Sequence, residues 1–428
     1  MARCNRSIGI ILIVVAYVVA GAEATWSIVA VDQATCEVGV ASATCLTSFD
    51  LRVGLPMVLP EVGVAAAQSR IDSNATNRRR IRDMMLAGED PVDILAALAA
   101  NDGPHEQRQY GMVDLSGRAL TFSGTQTGAY AGGVTGCAGS IVYAIQGNVI
   151  TGAAVITAAE VALRDTPGAL PERLMAAMEA ARAMGGDGRC SGSSTAPDSC
   201  GAPPPSFVRS AYVGFLIVGR PGDTVGVCNR RLGCANGDYY LNLNVTADLF
   251  TAPDPVPLLR EMFDEWRAGL AGATDIAESL LTVSRSRILA SDPNPVVVHL
   301  TLRDWQGLAP AGVESIQAAH ADDSLGSSTI GEFVNLAADE FEVPILAGAA
   351  AGRDRIVVTV AHADGRVVTF PTIELRVQDP RADLNGDGVV DLLDLGILLG
   401  AFGSAATGDV TADGVTDLAD LAALLPSL

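Results

Sequence analysis

The order of strand-forming and helix-forming segments predicts an α+β protein, and three observations support this class. Between residues 25 and 272, strands come first, helices follow and strands return, without the regular alternation that a parallel sheet requires. Between residues 290 and 379, apolar residues alternate with polar ones. From residue 382 to residue 428, two acidic loops each precede a short apolar helix. We therefore expect a four-layer α-β-β-α sandwich, an all-β immunoglobulin-like sandwich and a small α-helical module.

Residues 1–24 have the composition of a secretory signal peptide. Two arginines charge its start, residues 8–19 form an apolar run, and small residues stand at the predicted cut after Ala24. The apolar run is short for a bilayer span, so we expect export without a membrane span after processing. An uncleaved anchor is the alternative. Cleavage would leave Thr25 as the first residue of a secreted protein, whether extracellular, periplasmic or on the cell surface.

Thr25 begins a segment that has two interpretations. Residues 26–31 are apolar on both faces and predict a buried strand, which Thr25 would simply open. In the second interpretation, Thr25 is a free N-terminal threonine. Its hydroxyl is then a nucleophile, and its own α-amine, with a pKa of about 7.7 to 8.0, accepts the hydroxyl proton.

Turn and capping signals predict the other elements between residues 25 and 272. Asp90 followed by Pro91 is a strong helix start. The arginines of residues 77–86 indicate a solvated helix face or, alternatively, an anion site or subunit contact. Strands are predicted at residues 38–44 and 62–68, in a hairpin at 109–122, in a strand pair at 140–150 that turns through residues 146–148, and at 211–218 and 239–245. Helices are predicted at residues 77–86, from Asp90 onward, and at 156–163, 171–184 and 254–270.

Three runs of alternating apolar residues predict the strands of the second region. Turn residues separate the runs, as in sheets with one buried face. This alternation predicts an immunoglobulin-like sandwich, here without a cysteine pair. The alternating residues are Val296, Val298, Leu300 and Leu302, then Ile356, Val358 and Val360, then Ile373, Leu375 and Val377. The three histidines of this region lack metal-ligand spacing and are interpreted as ordinary strand or surface residues.

Two acidic segments that begin 26 residues apart have the spacing of calcium-binding loops. Oxygen-bearing side chains stand at positions 1, 3, 5, 9 and 12, position 7 offers its carbonyl, and position 6 is glycine. We expect two structural Ca²⁺ sites, and the alternative is an acidic tail without metal. The predicted ligands are Asp383, Asn385, Asp387, Val389 (carbonyl), Asp391 and Asp394 in the first loop, and Asp409, Thr411, Asp413, Val415 (carbonyl), Asp417 and Asp420 in the second.

Composition disfavours several classes of function. The 49 acidic and 28 basic residues give a net charge of −21, which disfavours nucleic acid or an anionic membrane as a partner. The sequence contains no lysine, which excludes Schiff-base chemistry and a phosphate-loop lysine. We expect no organic cofactor. Serine triads and zinc hydrolases are also disfavoured, because residues 25–272 contain one histidine and no matching motif.

The cysteine positions suggest local disulfides. Export permits disulfide formation. Cys228 and Cys234 flank a short loop, and Cys190 and Cys200 flank a segment rich in Ser, Gly and Pro, so we predict that each pair is bonded. An odd number of cysteines remains in the mature chain, which leaves at least one thiol unpaired or paired elsewhere. These residues are Cys36, Cys45 and Cys137.

Six short segments of the first region are found together in one known family. They are residues 25–32 (TWSIVAVD), 37–41 (EVGVA), 65–68 (AAAQ), 109–114 (QYGMVD), 146–148 (QGN) and 185–187 (GGD). Together they resemble the domain-of-unknown-function family 1028 (DUF1028), which belongs to the N-terminal-nucleophile (Ntn) hydrolase superfamily. The resemblance implies an Ntn-hydrolase-like fold and a threonine that processing exposes. The family pattern has Gln-Ser-Ala after the last segment, but here it appears only as residues 209–211 (RSA). We therefore expect the contacts made by this part of the site to differ from those of the family.

The two acidic loops and their helices resemble a type I dockerin module. Aspartate rather than glutamate at position 12 fits this resemblance, which implies a cohesin-like or cell-surface partner. Positions 10 and 11, which often carry polar recognition residues, are Leu392-Leu393 and Leu418-Ala419 here. There are two alternatives to a cohesin-like partner: the module binds a different partner, or it only caps the chain.

The residues and the resemblances together predict a secreted amide-bond hydrolase that acts on a small amide or peptide substrate. Thr25 attacks the carbonyl, Asn148 and Gln68 stabilise the oxyanion, and Asp187 orients the α-amine. In the alternative interpretation, Asn148 and Gln68 only satisfy backbone groups at turns and strand ends. The alternative for the whole protein is a non-catalytic secreted binding or surface-associated protein on an Ntn-hydrolase scaffold.

Overall fold

The computed structural model describes residues 25–190, 209–404 and 407–428, so the predicted signal peptide and Cys200 lie outside the described residues. The described chain is a mixed α+β protein, as predicted. The first region contains, in chain order, β1 (Thr25–Asp32), β2 (Glu37–Thr44), α1 (Leu51–Gly54), β3 (Pro56–Leu59), β4 (Gly63–Ser69), α2 (Thr76–Leu86), α3 (Pro91–Asn101), β5 (Arg108–Asp114), β6 (Ala119–Ser123), β7 (Ala131–Ala138), β8 (Ile141–Asn148), α4 (Ala153–Asp165), α5 (Leu170–Ala183), β9 (Val213–Gly219), β10 (Leu241–Val245) and α6 (Pro255–Ala268).

Ten strands of the first region form two antiparallel sheets. The larger has the order β10-β9-β2-β1-β8-β7, and the smaller has the order β3-β4-β5-β6. Strand β1 therefore lies near the middle of the larger sheet, with β2 and β8 as its two neighbours. Every residue of β1 and β2 is buried, because both faces of the larger sheet are covered.

Alternation along β1 shows what covers each face. Trp26 and Ile28 pack in a cluster with residues of helices α4, α5 and α6. Val29 and Val31 point the other way and pack with Val64 and other residues of the smaller sheet. The outer face of the smaller sheet packs against helices α2 and α3. The helix residues in this last contact are Ile81, Met85, Ile94 and Leu98.

One predicted turn is wrong. Residues 146–148 do not turn but form the end of β8, which runs from residue 141 to residue 148 and pairs with β7 along its whole length. The turn lies earlier, at Gly139-Ser140, where Gly139 has a φ of +62°. A two-residue hairpin turn favours glycine at such a left-handed position, and the prediction overlooked this signal.

The arginines of α2 do not form one solvated face. Arg79 is exposed, but Arg78 is 2% exposed and donates hydrogen bonds to the carbonyls of Val53 and, at 3.0 Å, Asp72. Burial lowers the pKa of Arg78 to about 10. The helix starts of α3 and α6 are as predicted, since Asp90 and Asp254 each accept a hydrogen bond from the backbone two residues later.

The second region is all β, as predicted. Its strands are β11 (Leu280–Val283), β12 (Arg287–Leu289), β13 (Val296–Thr301), β14 (Val313–His320), β15 (Thr329–Ile330), β16 (Val334–Ala337), β17 (Glu340–Leu346), β18 (Gly352–His362), β19 (Val367–Thr369) and β20 (Ile373–Gln378). They form two five-stranded sheets. One has the order β11-β13-β17-β15, with β16 paired to β17, and the other has the order β12-β20-β18-β14, with β19 paired to β18. The alternating apolar residues form one buried core between these sheets. Two of the strands begin before residue 290.

The C-terminal tail contains α7 (Leu392–Gly400) and α8 (Leu418–Leu424), each preceded by an acidic loop. Val390, Leu398, Val410 and Leu424 form a small core, against which Leu289 of β12 also packs. The tail is therefore attached to the second region by apolar contacts. None of the helices in the described ranges is long and apolar enough to cross a membrane.

Two disulfides are found among the described cysteines. Cys228–Cys234 is bonded as predicted, but Cys190 pairs with Cys45 and not with Cys200. The prediction failed because it considered cysteines close in sequence, whereas the fold brings the end of β2 to the segment after α5. Cys36 and Cys137 are free thiols. Disulfides are consistent with an oxidising, extracellular environment.

Candidate functional site

Thr25 stands at the first position of β1, between the two strands that flank it. It pairs with Thr44 of β2 and with Asn148 of β8. Alternation along β1 points its side chain, like that of Ser27, toward the smaller sheet. Thr25 is 2% exposed, and its hydroxyl donates a hydrogen bond of 3.3 Å to the Thr44 hydroxyl. The predicted nucleophile thus lies at the edge of the space between the two sheets.

Gln68 of β4 connects the smaller sheet to this end of β1. Its Nε2 donates to the carbonyl of Thr25 at 2.9 Å and to Oε1 of Gln109 at 2.7 Å, and it lies 3.4 Å from Oδ1 of Asn148. Its Oε1 accepts a hydrogen bond from the Ser27 hydroxyl. The structure therefore brings together Thr25, Gln68 and Asn148, which are separated by up to 123 residues in sequence.

The amides of Gln109 and Asn148 close this network. Gln109 Nε2 contacts three acceptors, the Ser123 hydroxyl at 2.7 Å and the carbonyls of Gly147 at 2.9 Å and Gly132 at 3.2 Å. Asn148 Nδ2 donates to the carbonyl of Thr127 at 3.1 Å. These bonds to backbone carbonyls agree with the interpretation that Gln68 and Asn148 satisfy backbone groups. They also hold both amides rigidly beside Thr25.

Asp187 lies in the segment that follows α5. It is separated from Thr25 by Thr44 and Arg189. Its carboxylate is completely buried and forms an ion pair of 3.0 Å with Arg189, and it accepts a hydrogen bond of 2.7 Å from the backbone N–H of Cys45. Burial raises the pKa of the Asp187 carboxyl, and the Arg189 charge opposes that rise. Arg189 Nη2 in turn lies 3.4 Å from the Thr44 hydroxyl. Asp187 is thus connected to Thr25 through Arg189 and Thr44.

We call these residues the Thr25 cluster. They are Thr25, Ser27, Ser42, Thr44, Gln68, Gln109, Asn148, Asp187 and Arg189. Ser42 belongs to the set because the Ser27 hydroxyl donates to its hydroxyl at 3.0 Å. The sequence interpretation did not include Ser27, Ser42, Thr44, Gln109 and Arg189. A signal was present, because the polar residues of β1 and β2 stand at alternate positions and therefore share one face.

Gln146 extends the polar surface between the sheets. It is 0% exposed, and neither atom of its side-chain amide has a hydrogen-bond partner among the described residues. Its Oε1 would lie 2.1 Å from a Cβ at position 111, so any side chain there would have to displace the Gln146 amide, and glycine leaves room for it. Burial of an amide without hydrogen-bond partners is costly.

The two acidic loops share one pattern of internal hydrogen bonds. The position 1 carboxylates, Asp383 and Asp409, each accept from the backbone N–H groups of positions 5 and 6. The position 12 carboxylates, Asp394 and Asp420, each accept from positions 3 and 9 and are fully buried. The equivalent bonds show that both loops adopt the same backbone path.

The donor set of both loops fits calcium, which prefers carboxylate and carbonyl oxygens. As they stand, no three His, Cys, Asp or Glu side chains converge to form a metal site within the described ranges. The loops differ at position 4, where Gly386 has a φ of +75° and Ala412 a φ of +61°. A left-handed backbone is unfavourable for alanine, so the second loop is the more strained of the two.

Gln378 at the end of β20 joins the first loop to the second region. Its Nε2 donates to the carbonyls of Val390 at 2.8 Å and Ser427 at 2.7 Å, and its Oε1 accepts from the N–H of Val390 at 3.1 Å. Gln378 is fully buried. One side chain therefore satisfies both backbone groups of loop position 8.

Comparison with known proteins supports the first of the two resemblances. Residues 25–196 match the family model described as "Family of unknown function (DUF1028)". The predicted resemblance to DUF1028 is thus confirmed over this range. No curated protein matches the chain.

Solved structures give only distant likenesses. The protein SPO2555 from Silicibacter pomeroyi, which is described as a DUF1028 protein, is 19% identical, with a TM-score of 0.41 over 56% of this chain and 85% of that chain. The Yersinia pseudotuberculosis adhesin InvE is 21% identical, with a TM-score of 0.22 over 25% of this chain and 28% of that chain. At these TM-scores the likenesses give no information about the chemistry of the Thr25 cluster.

Proposed function

We propose that this chain is a secreted amide-bond hydrolase of the Ntn type, in which removal of residues 1–24 exposes Thr25 as an N-terminal nucleophile. The observation that carries the proposal is the position of Thr25 at the start of a central strand, with its hydroxyl in a closed network of polar side chains between two sheets. The packing of helices, larger sheet, smaller sheet and helices supports a four-layer α-β-β-α fold of this class.

The reaction would begin at the carbonyl carbon of a small amide or peptide. Thr25 Oγ1 bonds to this carbon while the α-amine takes the hydroxyl proton, directly or through one water. The Gln68 and Asn148 amides stand beside Thr25 and are the candidates to stabilise the oxyanion. The proton then passes to the leaving amine, and water hydrolyses the resulting ester.

We further propose that the tail holds two calcium ions and attaches the protein to a partner. The predicted ligands of both loops would supply carboxylate and carbonyl oxygens, and bound calcium would fix the loops and the helices that follow them. Leu392, Leu393 and Leu418 are 75%, 63% and 71% exposed. These side chains favour an apolar patch on a cohesin-like or cell-surface partner over a polar one.

An acylating probe tests the catalytic proposal. A β-lactone should label the secreted wild-type protein and the Thr25→Ser variant, because both have a hydroxyl beside an α-amine. Thr25→Ala should lose all labelling. Thr157→Ala, which changes an exposed threonine of α4, is the matched control and should be labelled at the wild-type rate. Equal labelling of Thr25→Ala would contradict the proposal and favour the non-catalytic binding protein.

A further inference from the structure

Thr44 lies between the proposed nucleophile and the Asp187–Arg189 ion pair. Its Oγ1 accepts a hydrogen bond of 3.3 Å from the Thr25 hydroxyl and lies 3.4 Å from Arg189 Nη2. The Thr44 oxygen is therefore the point at which a charged group reaches the reacting hydroxyl. Thr44 is fully buried, whereas the Arg189 side chain is 31% exposed, so it is the Thr44 end of this contact that is shielded from bulk water.

Arg189 is fixed by Asp187 through several bonds. Its Nε and its backbone N–H donate to Oδ1 at 3.2 and 2.9 Å, and Nη2 donates to Oδ2 at 3.0 Å. Such a two-pronged contact sets the plane of the guanidinium as well as its position. The guanidinium that meets Thr44 is therefore oriented in advance.

A disulfide fastens the two chain segments that carry these groups. Cys45 directly follows Thr44, and Cys190 directly follows Arg189, and the two cysteines are bonded across a sequence separation of 145 residues. The Cys45 backbone N–H also donates to Asp187 at 2.7 Å. The covalent bond and the ion pair thus hold the same two segments together beside Thr25.

We propose that Thr44 and Arg189 form a relay that holds the Thr25 hydroxyl in its reactive orientation, and that Asp187 and the Cys45–Cys190 disulfide hold Arg189 in place. This inference rests on the proposed function and adds positioning residues to it. Thr44 sets the direction of the hydroxyl, and Arg189 acts through Thr44. Because a misplacement of about 1 Å can cost roughly 100-fold in rate, the relay should strongly affect acylation.

The test measures the rate of β-lactone labelling of Thr25 in the full secreted chain. In this step Thr25 Oγ1 bonds to the lactone carbonyl carbon, the ring C–O bond breaks, and the hydroxyl proton passes through the α-amine to the released ring oxygen. Thr44→Val should lower the rate about 10- to 100-fold, and Thr44→Ser should restore it, because serine keeps the oxygen. Arg189→Gln should lower the rate about 10-fold, and Arg189→Lys should restore it only partly, because lysine lacks the fork.

The pH profile separates the relay from a purely structural effect. The charged groups of the cluster that face Thr44 are Arg189 and its partner Asp187. The Arg189 charge disfavours a protonated α-amine, so Arg189→Gln should move the rate profile to higher pH. Arg79→Gln, which changes an exposed arginine of α2, is the control and should change neither rate nor profile.

The disulfide is tested by reduction. A thiol reductant should slow labelling about 10-fold in the wild type and also in Cys228→Ser/Cys234→Ser, which retains only the Cys45–Cys190 bond of the two disulfides described. Cys45→Ser/Cys190→Ser should label slowly with or without reductant. Wild-type rates in folded Thr44→Val and Arg189→Gln variants would overturn the relay alone. Absence of labelling in the wild type would overturn the proposed function itself.

Discussion

The Thr25 cluster draws its side chains from five strands and one loop, whereas each acidic loop of the tail uses twelve consecutive residues. In the cluster, neutral amides and hydroxyls dominate and are satisfied by protein partners. In the loops, carboxylates of one sign lie close together and bind backbone N–H groups. A site of the first kind is held by the fold, whereas the proposed calcium sites would need a cation to balance their charge.

Calcium removal should produce the largest difference in thermal stability between the tail and the region that contains the Thr25 cluster. At a 100-fold excess over Kd, one site contributes about 2.7 kcal/mol to stability, so a chelator should lower the melting temperature of the tail by roughly 10 to 20 °C. The Thr25 cluster should be unaffected. Differential scanning calorimetry of the full chain, with and without chelator, measures both transitions.

The matched control is the Asp383→Asn/Asp409→Asn variant, which lacks one carboxylate in each loop. It should show no chelator-dependent shift. If the wild type and this variant respond equally, the calcium assignment is wrong.

Two buried glutamines, one at each site, provide the next comparison. Gln68→Ala leaves the Thr25 carbonyl and the Ser27 hydroxyl without this partner, and Gln378→Ala does the same to the carbonyls of Val390 and Ser427. Each change should cost about 2 to 3 kcal/mol in the free energy of unfolding. Only Gln378→Ala should also weaken calcium binding, because its side chain orders the first loop.

Isothermal titration calorimetry with calcium distinguishes the two variants. The expected result is an unchanged affinity in Gln68→Ala and a reduced affinity, at one of the two sites, in Gln378→Ala. Equal affinities in both variants would mean that the second region and the first loop are not coupled.

The smallest effect is expected within the tail, where Ala412 has a left-handed backbone and its counterpart in the first loop is glycine. Ala412→Gly should stabilise the tail by about 1 kcal/mol, because glycine adopts this conformation without steric strain. Ala422→Gly, which changes an exposed alanine of α8, should destabilise it by a similar amount. A melting temperature that falls in Ala412→Gly would contradict the loop geometry described above.

The contrast between a cluster built from distant segments and loops built from consecutive residues explains how much the sequence could predict. The predicted loop ligands and the N-cap of α3 depend on neighbours within a few residues, so spacing alone indicated them. Cys45–Cys190 and the contact of Arg189 with Thr44 arise only when distant segments meet, and local spacing carries no sign of them. The alternation of polar residues, Thr25 and Ser27 on β1 and Ser42 and Thr44 on β2, was the local clue to the shared polar face.

The turn near β8 shows a different source of error. Residues 146–148 have the composition of a turn, but their polar side chains belong to a buried network at the end of a strand. Composition alone does not distinguish a polar residue at a solvated turn from one in a buried polar site. Here the pairing of residues 146–148 with both β1 and β7 places them in a strand.

The mature N-terminus decides whether export processing creates the proposed nucleophile. It is identified by intact mass and N-terminal sequencing of the secreted protein, before and after reaction with a β-lactone. We predict a chain that begins at Thr25 with a free α-amine and carries one adduct on that residue. A chain that begins elsewhere, or a blocked α-amine at Thr25, would contradict this prediction.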